Sequence, residues 1–213
     1  MIIHKSKRNI LCSTIILSCA ITFAGCGGKA CDSDEIKCLC PPTIHLQPYG
    51  NFTQTEASRL GEELEEHLFE IFGVKLDCEV HPSLPLADSL LNNTKRRYRA
   101  DKIIKSLSKK ADDHNIYIGL THKDISCSVH GHADWGGQGL SLIPRKACVV
   151  STFRVRDWHD FWKVACHEFI HAYFKYNHCP KDDPSCLMKN AKGIPQMKNK
   201  KGLCPHCQSV LQI

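Results

Sequence analysis

The segment 167–179, HEFIHAYFKYNHC, contains two histidines four residues apart, with a glutamate directly after the first. On a helix, residues four apart project from the same face, so His167 and His171 can bind one zinc ion through their imidazole nitrogens. Zinc lowers the pKa of a bound water, and Glu168 stands where its carboxylate can accept the proton of that water. HExxH is short and also occurs by chance, so it needs support from elsewhere in the chain.

Four cysteines follow this segment, and the last two form a CxxC pair. Four thiolates arranged in this way can close a tetrahedral zinc site, and CxxC supplies two of them from one tight turn. The alternative is two disulfides, which an exported location favours. A disulfide across CxxC is strained and usually redox-active, which makes it a less natural structural bridge. The residues concerned are Cys179, Cys186, Cys204 and Cys207.

The first 25 residues have the pattern of a secretory signal, with a basic start, an apolar run over 10–23 and small residues directly before Cys26. Small residues before a cysteine are typical of bacterial lipoprotein signals. We therefore expect cleavage before Cys26, its acylation, and a lipid-anchored protein of the bacterial cell envelope, on the periplasmic or surface face. Cys19 is a weaker alternative acylation site. A transmembrane anchor is a further alternative, but the apolar run is shorter than the roughly 20 residues that span a bilayer.

Charge argues against a nucleic-acid partner. The full chain has a formal net charge of +6, and removing the signal takes away Lys5, Lys7 and Arg8 and no acidic residue, which leaves +3. That excess is too small to indicate binding to a polyanion.

The rest of the chain alternates between strand and helix patterns. Residues 26–48 read as a tether followed by the first strand, and residues 49–213 as one domain. Apolar residues recur at helical spacing over 55–72, 97–110 and 158–176, and strand patterns occupy 74–80, 116–121 and 147–152. This order predicts an α/β or α+β fold built around one sheet.

The ordered set HEFIHAYFKYNHC, CLM and CPHC resembles the signature of the archaemetzincins, HExxHxxGxxHC followed by CxM and CxxC. The resemblance continues upstream through RRYRADKIIKSL, IYIGLTHKDIS and ACVVSTFRV, and covers roughly residues 55–207. It implies a metzincin-like catalytic domain, with a twisted mixed sheet whose edge strand packs on helices, an active-site helix carrying HExxH and a small Cys-rich C-terminal part. The chain would be a divergent bacterial lipoprotein member of that family.

The same resemblance implies a zinc metallopeptidase that acts on a peptide or protein substrate, with Glu168 as general base toward a zinc-bound water. It implies two zinc ions per chain. His167, His171 and His178 would hold the catalytic ion, and the four cysteines within 179–207 the structural one. It also implies that Met188 supports the catalytic site from below and that residues 147–152 form the edge strand along which a peptide lies.

The spacing departs from the archaemetzincin pattern in two places. One extra residue follows His171, so Phe174 stands at the glycine position and Asn177 at the position of the third histidine. The gap between Cys179 and Cys186 is also longer than in the family. Because Cys179 follows His178 directly, we expect His178 to be the third ligand. We expect Asn177, which tolerates left-handed backbone, to make the turn that glycine makes in the family.

Two other functions remain compatible with these residues. The altered spacing allows a catalytically inert zinc-binding or interaction lipoprotein that retains the archaemetzincin scaffold. The retained Glu168 favours the enzyme, because metal storage does not require a base. A disulfide-stabilised surface module without metal is the third possibility.

Overall fold

The structure, a computed structural model, describes residues 41–129, 131–191 and 197–212. These residues form four α-helices, α1 (Gln54–Phe72), α2 (Ala100–Leu107), α3 (Phe161–Phe174) and α4 (Pro205–Leu211). The strands of the described residues are β1 (Thr43–Pro48), β2 (Cys78–Val80), β3 (Tyr98–Arg99), β4 (Asn115–Thr121), β5 (Ile125–Val129), β6 (His132–Gly137), β7 (Gly139–Ser141) and β8 (Ala147–Ser151).

The predicted signal, both candidate acylation sites Cys19 and Cys26, and most of the predicted tether lie outside the described residues. The described residues all belong to one compact unit, Leu39–Ile213. Within them, no helix combines the length and the apolar character needed to cross a bilayer.

A five-stranded sheet in the order β2-β1-β4-β8-β7 forms the framework. The first four strands pair in parallel, and β7 joins β8 antiparallel. A second sheet has the order β3-β5-β6. Helices precede or follow the parallel strands, as connections between parallel strands require. The fold is therefore mixed α/β with a mixed sheet, as the resemblance implies. The prediction of a single sheet is wrong, because the described residues form two sheets.

The prediction that residues 147–152 form the edge strand is wrong. Here β8 lies inside the sheet, and β7 covers its outer side. β7 comes from the Gly-rich stretch 131–142, where few side chains favour a strand. Among the described residues, β7 and β2 are the edges of the five-stranded sheet.

The two faces of this sheet carry different helices, because successive side chains of a strand point to opposite faces. The even-numbered residues of the central strands, such as Ile44, Ile118 and Val150, pack in one core with α1 and α3. The odd-numbered residues, such as Tyr117 and Val149, pack in a separate core with α2. The helix that carries HExxH therefore lies on one face, and α2 lies on the other.

The ends of α1 follow local rules. Thr53 and Glu56 form a reciprocal capping box at its start, and Gly73, with φ +67°, ends it in the left-handed conformation. By contrast, α3 is apolar on nearly all sides, and residues 164–172 are all buried. Any polar side chain in that segment has left water and needs a partner. This requirement applies to His167, Glu168 and His171.

Candidate metal centres

Two buried histidines of α3 are oriented by backbone carbonyls. His167 Nδ1 lies 2.8 Å from the carbonyl oxygen of Leu187, and His171 Nδ1 lies 2.5 Å from that of Tyr176. A carbonyl only accepts hydrogen bonds, so each Nδ1 carries the proton and donates. In the neutral ring, the lone pair is then on Nε2. The two Nε2 atoms lie 3.0 Å apart.

Two lone pairs that face each other at this distance repel, unless a cation lies between them. The residues present therefore fit a metal ion. The ring centroid of His178 lies 5.3 Å from that of His167 and 4.8 Å from that of His171. One ring nitrogen from each of the three lies within 4.8 Å of the others. Burial lowers the pKa of all three imidazoles, that of His178 to about 4, which keeps them in the neutral form that binds metals.

Glu168 directly follows His167 on α3 and is 8% exposed. Burial raises the pKa of its carboxyl group to about 8, and a divalent cation nearby would lower it again. The edge strand β7 passes directly over this side chain. A Cβ placed on Gly139 would lie 2.6 Å from Glu168 Cγ and 2.8 Å from Oε1. Only glycine fits at this point.

Sequence reasoning did not identify Gly139. The only signal was the Gly-rich composition of the stretch that contains it, which reads equally well as a loop. The contact depends on a strand from one part of the chain crossing a helix from another, and such a crossing has no local pattern.

The four cysteines form a second cluster. Cys179 Sγ lies 3.6 Å from Cys204 Sγ, and Cys186 Sγ lies 3.6 Å from Cys207 Sγ. All four are buried and free, and the four sulfurs lie within 4.8 Å of one another. With Zn–S bonds of about 2.3 Å, tetrahedral geometry places sulfurs roughly 3.8 Å apart. The cluster therefore fits one zinc ion.

A buried lysine supports this cluster. Lys200 is 3% exposed, and its Nζ donates to the carbonyl oxygens of Cys186, at 2.9 Å, and Lys189, at 2.6 Å. Four thiolates around a Zn²⁺ ion would leave a net negative charge, and the ammonium group of Lys200 would compensate part of it. A buried cation at this position is easier to explain beside thiolates than beside neutral thiols.

Backbone segments next to the cysteine cluster also contact the histidine cluster. Leu187, whose carbonyl accepts from His167, stands directly after Cys186 and donates its own N–H to the carbonyl of Gly202 at 2.6 Å. Tyr176, whose carbonyl accepts from His171, has its hydroxyl 3.3 Å from Cys207 Sγ. Each histidine is thus oriented by a residue that the cysteine cluster holds. Every residue has a backbone carbonyl, so the sequence could not indicate that those of Leu187 and Tyr176 would accept hydrogen bonds from the two histidines.

Comparison with known proteins gives the fold a name. No protein-family model and no curated protein matches the sequence. Among solved structures, archaemetzincin from Methanopyrus kandleri superposes with a TM-score of 0.67 at 21% identity, over 81% of this chain and 94% of that one. This chain has the archaemetzincin fold.

Two further structures agree. Archaemetzincin from Archaeoglobus fulgidus, complexed with malonate, gives a TM-score of 0.58 at 22% identity, over 78% of this chain and 98% of that one. A zinc-dependent peptidase from Methanocorpusculum labreanum gives 0.62 at 18% identity, over 79% and 99%. The three likenesses establish the fold.

The turn after α3 shows how this chain accommodates the extra residue in its archaemetzincin signature. Lys175 ends α3 with φ +54° and ψ +27°, in the left-handed conformation. Asn177 is not among the described residues with positive φ, so the prediction that Asn177 makes the turn is wrong. The archaemetzincin glycine stands three residues before the third histidine, and Lys175 stands three residues before His178. The extra residue therefore lengthens the helix before the turn, and the segment from turn to histidine keeps its length.

Met188 is fully buried in the same core as α3, and its carbonyl accepts the N–H of Cys179 at 2.8 Å. Its predicted place beneath the histidines stays a prediction.

Proposed function

We propose that this chain is a zinc-dependent metallopeptidase of the archaemetzincin type. One observation carries the proposal: the Nε2 lone pairs of His167 and His171 converge at the same buried stretch of α3 that carries the carboxyl group of Glu168. A site for metal storage needs the first feature and has no use for the second. His178 would be the third ligand, and the four cysteines would hold a second, structural zinc ion.

When bound, zinc would polarise a water and a peptide carbonyl. The residues of the chain would then have separate roles. Leu187 and Tyr176, through their carbonyls, keep the first two histidines in the tautomer that offers Nε2. Glu168 accepts a proton from the attacking water and delivers it to the leaving nitrogen. The low exposure of this carboxyl group strengthens its electrostatic interactions and keeps bulk water from competing for the proton.

A peptide or protein is the proposed substrate, since one of the similar structures is described as a zinc-dependent peptidase. The outer edge of β7 offers a place for it. Ser151 N–H donates to the Gln138 carbonyl at 2.7 Å, and bonded pairs alternate along an antiparallel ladder. The backbone groups of Gly139 and Ser141 therefore point away from β8, toward the open edge. An extended peptide pairing there would pass over Glu168.

Replacement of Glu168 by Gln tests the enzyme directly. Glutamine is close in shape to glutamate and does not accept the proton at neutral pH, so Glu168→Gln should retain its zinc and lose nearly all hydrolysis. Digestion of a peptide library, read by mass spectrometry, measures this. Glu63→Gln on α1 is the matched control and should cleave like the wild type. A wild-type chain that binds zinc and cleaves nothing would instead indicate the inert scaffold.

The third ligand needs its own test. His178→Ala should weaken binding of the catalytic zinc, leave the cysteine-bound zinc in place and abolish turnover, because imidazole is a far better zinc ligand than a carboxamide. Asn177→Ala should keep most of the metal. Equal zinc retention in the two variants would remove His178 from the ligand set.

We further propose that Cys26 is acylated and anchors the protein in the cell envelope, on the basis of the small residues before it. Mass spectrometry of the mature protein should find lipid on Cys26 and none in Cys26→Ala. Lipid on Cys19 instead would show that the predicted cleavage site before Cys26 is wrong.

A further inference from the structure

We propose a third metal site, formed by His45, Glu79 and His81 at the β2 edge of the five-stranded sheet. This site would bind a divalent transition-metal ion of the zinc class. One atom of each of the three side chains lies within 4.8 Å of the others. The sequence pattern gave no sign of this site, because the three residues come from two strands and the loop after one of them.

Strand pairing brings the three side chains to one face. His45 on β1 is the direct partner of Glu79 on β2 in their parallel register. His81 stands two residues after Glu79, and side chains two apart point to the same side of a strand. Tyr117 on β4 is the next partner of His45, and its ring stacks on that imidazole with centroids 4.6 Å apart.

This face is the one that carries α2. Tyr117 belongs to the core shared with α2, whereas the histidines of α3 lie on the opposite face. The proposed site is therefore separated from the proposed active site by the sheet itself. It cannot be an extension of that site.

A chain of hydrogen bonds fixes the orientation of His45. Asn115 Nδ2 donates to both carboxylate oxygens of Asp112, at 2.8 and 2.9 Å, which identifies its Oδ1 as the acceptor that faces His45. His45 Nε2 lies 2.9 Å from that Oδ1 and must carry the proton. Its Nδ1 therefore presents a lone pair. Partners that fix the tautomer in this way are typical of metal-binding histidines.

The free nitrogen of His45 faces the other two side chains. His45 Nδ1 lies 2.9 Å from His81 Nε2 and 3.5 Å from Glu79 Oε2. The separation of the two nitrogens is close to the 3.0 Å between His167 and His171. A hydrogen bond from His81 to His45 would satisfy the two nitrogens alone. The carboxylate converging on the same point adds a third ligand that such a bond does not need.

The ligand set indicates the type of ion and its exchange behaviour. Two imidazole nitrogens and one carboxylate oxygen suit zinc and its neighbours in the first transition row, and a water would complete a tetrahedron. The side chain of Glu79 is 61% exposed, whereas that of His45 is 11% exposed. The ion would therefore contact solvent and exchange much faster than an ion held by four buried cysteines. Bound there, it would tie the short edge strand β2 to β1.

Zinc content at equilibrium tests the site. The mature protein and its variants are dialysed against the same buffered free Zn²⁺, and bound zinc is counted by elemental mass spectrometry. His81→Ala and Glu79→Gln should each bind about one zinc ion fewer per chain than the wild type. Asn115→Ala should keep all three ligands but lower the affinity of this site for zinc by about 10- to 100-fold, because His45 loses its orienting partner.

The matched control is His67→Ala. His67 on α1 also pairs with a carboxylate, Glu70, at 2.9 Å. Among the described residues no second histidine joins this pair in a group that could hold a metal, so this variant should bind as much zinc as the wild type. Equal zinc counts in wild type and His81→Ala, with both folded by circular dichroism, would overturn the proposal. Because the readout is a difference between variants, it does not depend on whether the proposed active site or the cysteine cluster is loaded.

Discussion

Gly139 offers a sharp test of how the edge strand and the proposed base are related. In Gly139→Ala, the new Cβ would lie 2.6 Å from Glu168 Cγ, 2.8 Å from Oε1 and 3.0 Å from Cδ. Carbon atoms in ordinary contact are about 3.5 Å apart or more. The strand and the carboxylate must therefore separate by about 1 Å. Neither moves freely, since Glu168 is buried on α3 and Gly139 is held in the ladder with β8.

A displacement of this size has a large expected effect on catalysis. Misplacing a catalytic group by about 1 Å can lower the rate by about 100-fold, and overpacking costs about 1–3 kcal/mol of stability. We expect kcat of Gly139→Ala to fall by about 100-fold while zinc stays bound, because the histidines keep their carbonyl partners. Kinetics on a peptide found in the library digest, with zinc counted in the same sample, measure both quantities.

Gly202→Ala is the matched control, because a Cβ there meets nothing within 4 Å and the backbone is not left-handed. It should keep both kcat and zinc. A Gly139→Ala enzyme with wild-type kcat would refute the idea that β7 positions Glu168. Parallel loss of zinc and activity would show that the substitution acts on the metal site instead.

Three further outcomes are expected. Lys175→Gly should raise the free energy of unfolding by about 1 kcal/mol, because glycine adopts the left-handed turn without the steric cost of a side chain; a lower urea midpoint would contradict this. Asp124→Asn should lower it by about 1–3 kcal/mol, since this carboxylate accepts three hydrogen bonds from two arginines, and an unchanged midpoint would count against that network. After exhaustive desalting, a chelator should remove one zinc quickly and a second slowly, whereas thiol mapping that finds Cys204 bonded to Cys207 would exclude the cysteine-bound ion.

Sequence periodicity was sufficient where one side of an element is buried along its whole length. The predicted helix over 55–72 corresponds to α1, and the predicted strand over 116–121 to β4. Periodicity gave the wrong bounds where an element depends on backbone pairing with a distant strand. The predicted strand over 74–80 is a strand only at Cys78–Val80, and the predicted helix over 97–110 is helical only at Ala100–Leu107. The strands β6 and β7 were missed because glycine and polar residues dominate 131–142.

The candidate sites divide in a similar way. Residue types that can bind metals are visible in a sequence, so the histidine and cysteine groups that the structure brings together could be expected from HExxH, from CxxC and from the resemblance. Their surroundings were not. Gly139 reaches Glu168 only because β7 folds back beside β8, and the left-handed residue after α3 is Lys175, whose residue type gives no indication of that conformation. His45 and His81 are 36 residues apart and meet only through the register of two strands.

The cysteine cluster is best understood as the support of the histidine site. His167 and His171 would be free to present either nitrogen if their Nδ1 atoms lacked partners. The partner carbonyls belong to Leu187, which follows a cysteine in the cluster, and to Tyr176, whose hydroxyl contacts another. An ion bound by these four buried thiolates would hold the two backbone segments at fixed distances from α3. In this arrangement the proposed structural zinc would contribute no chemistry to the substrate, yet it would determine which nitrogen each of the two histidines offers.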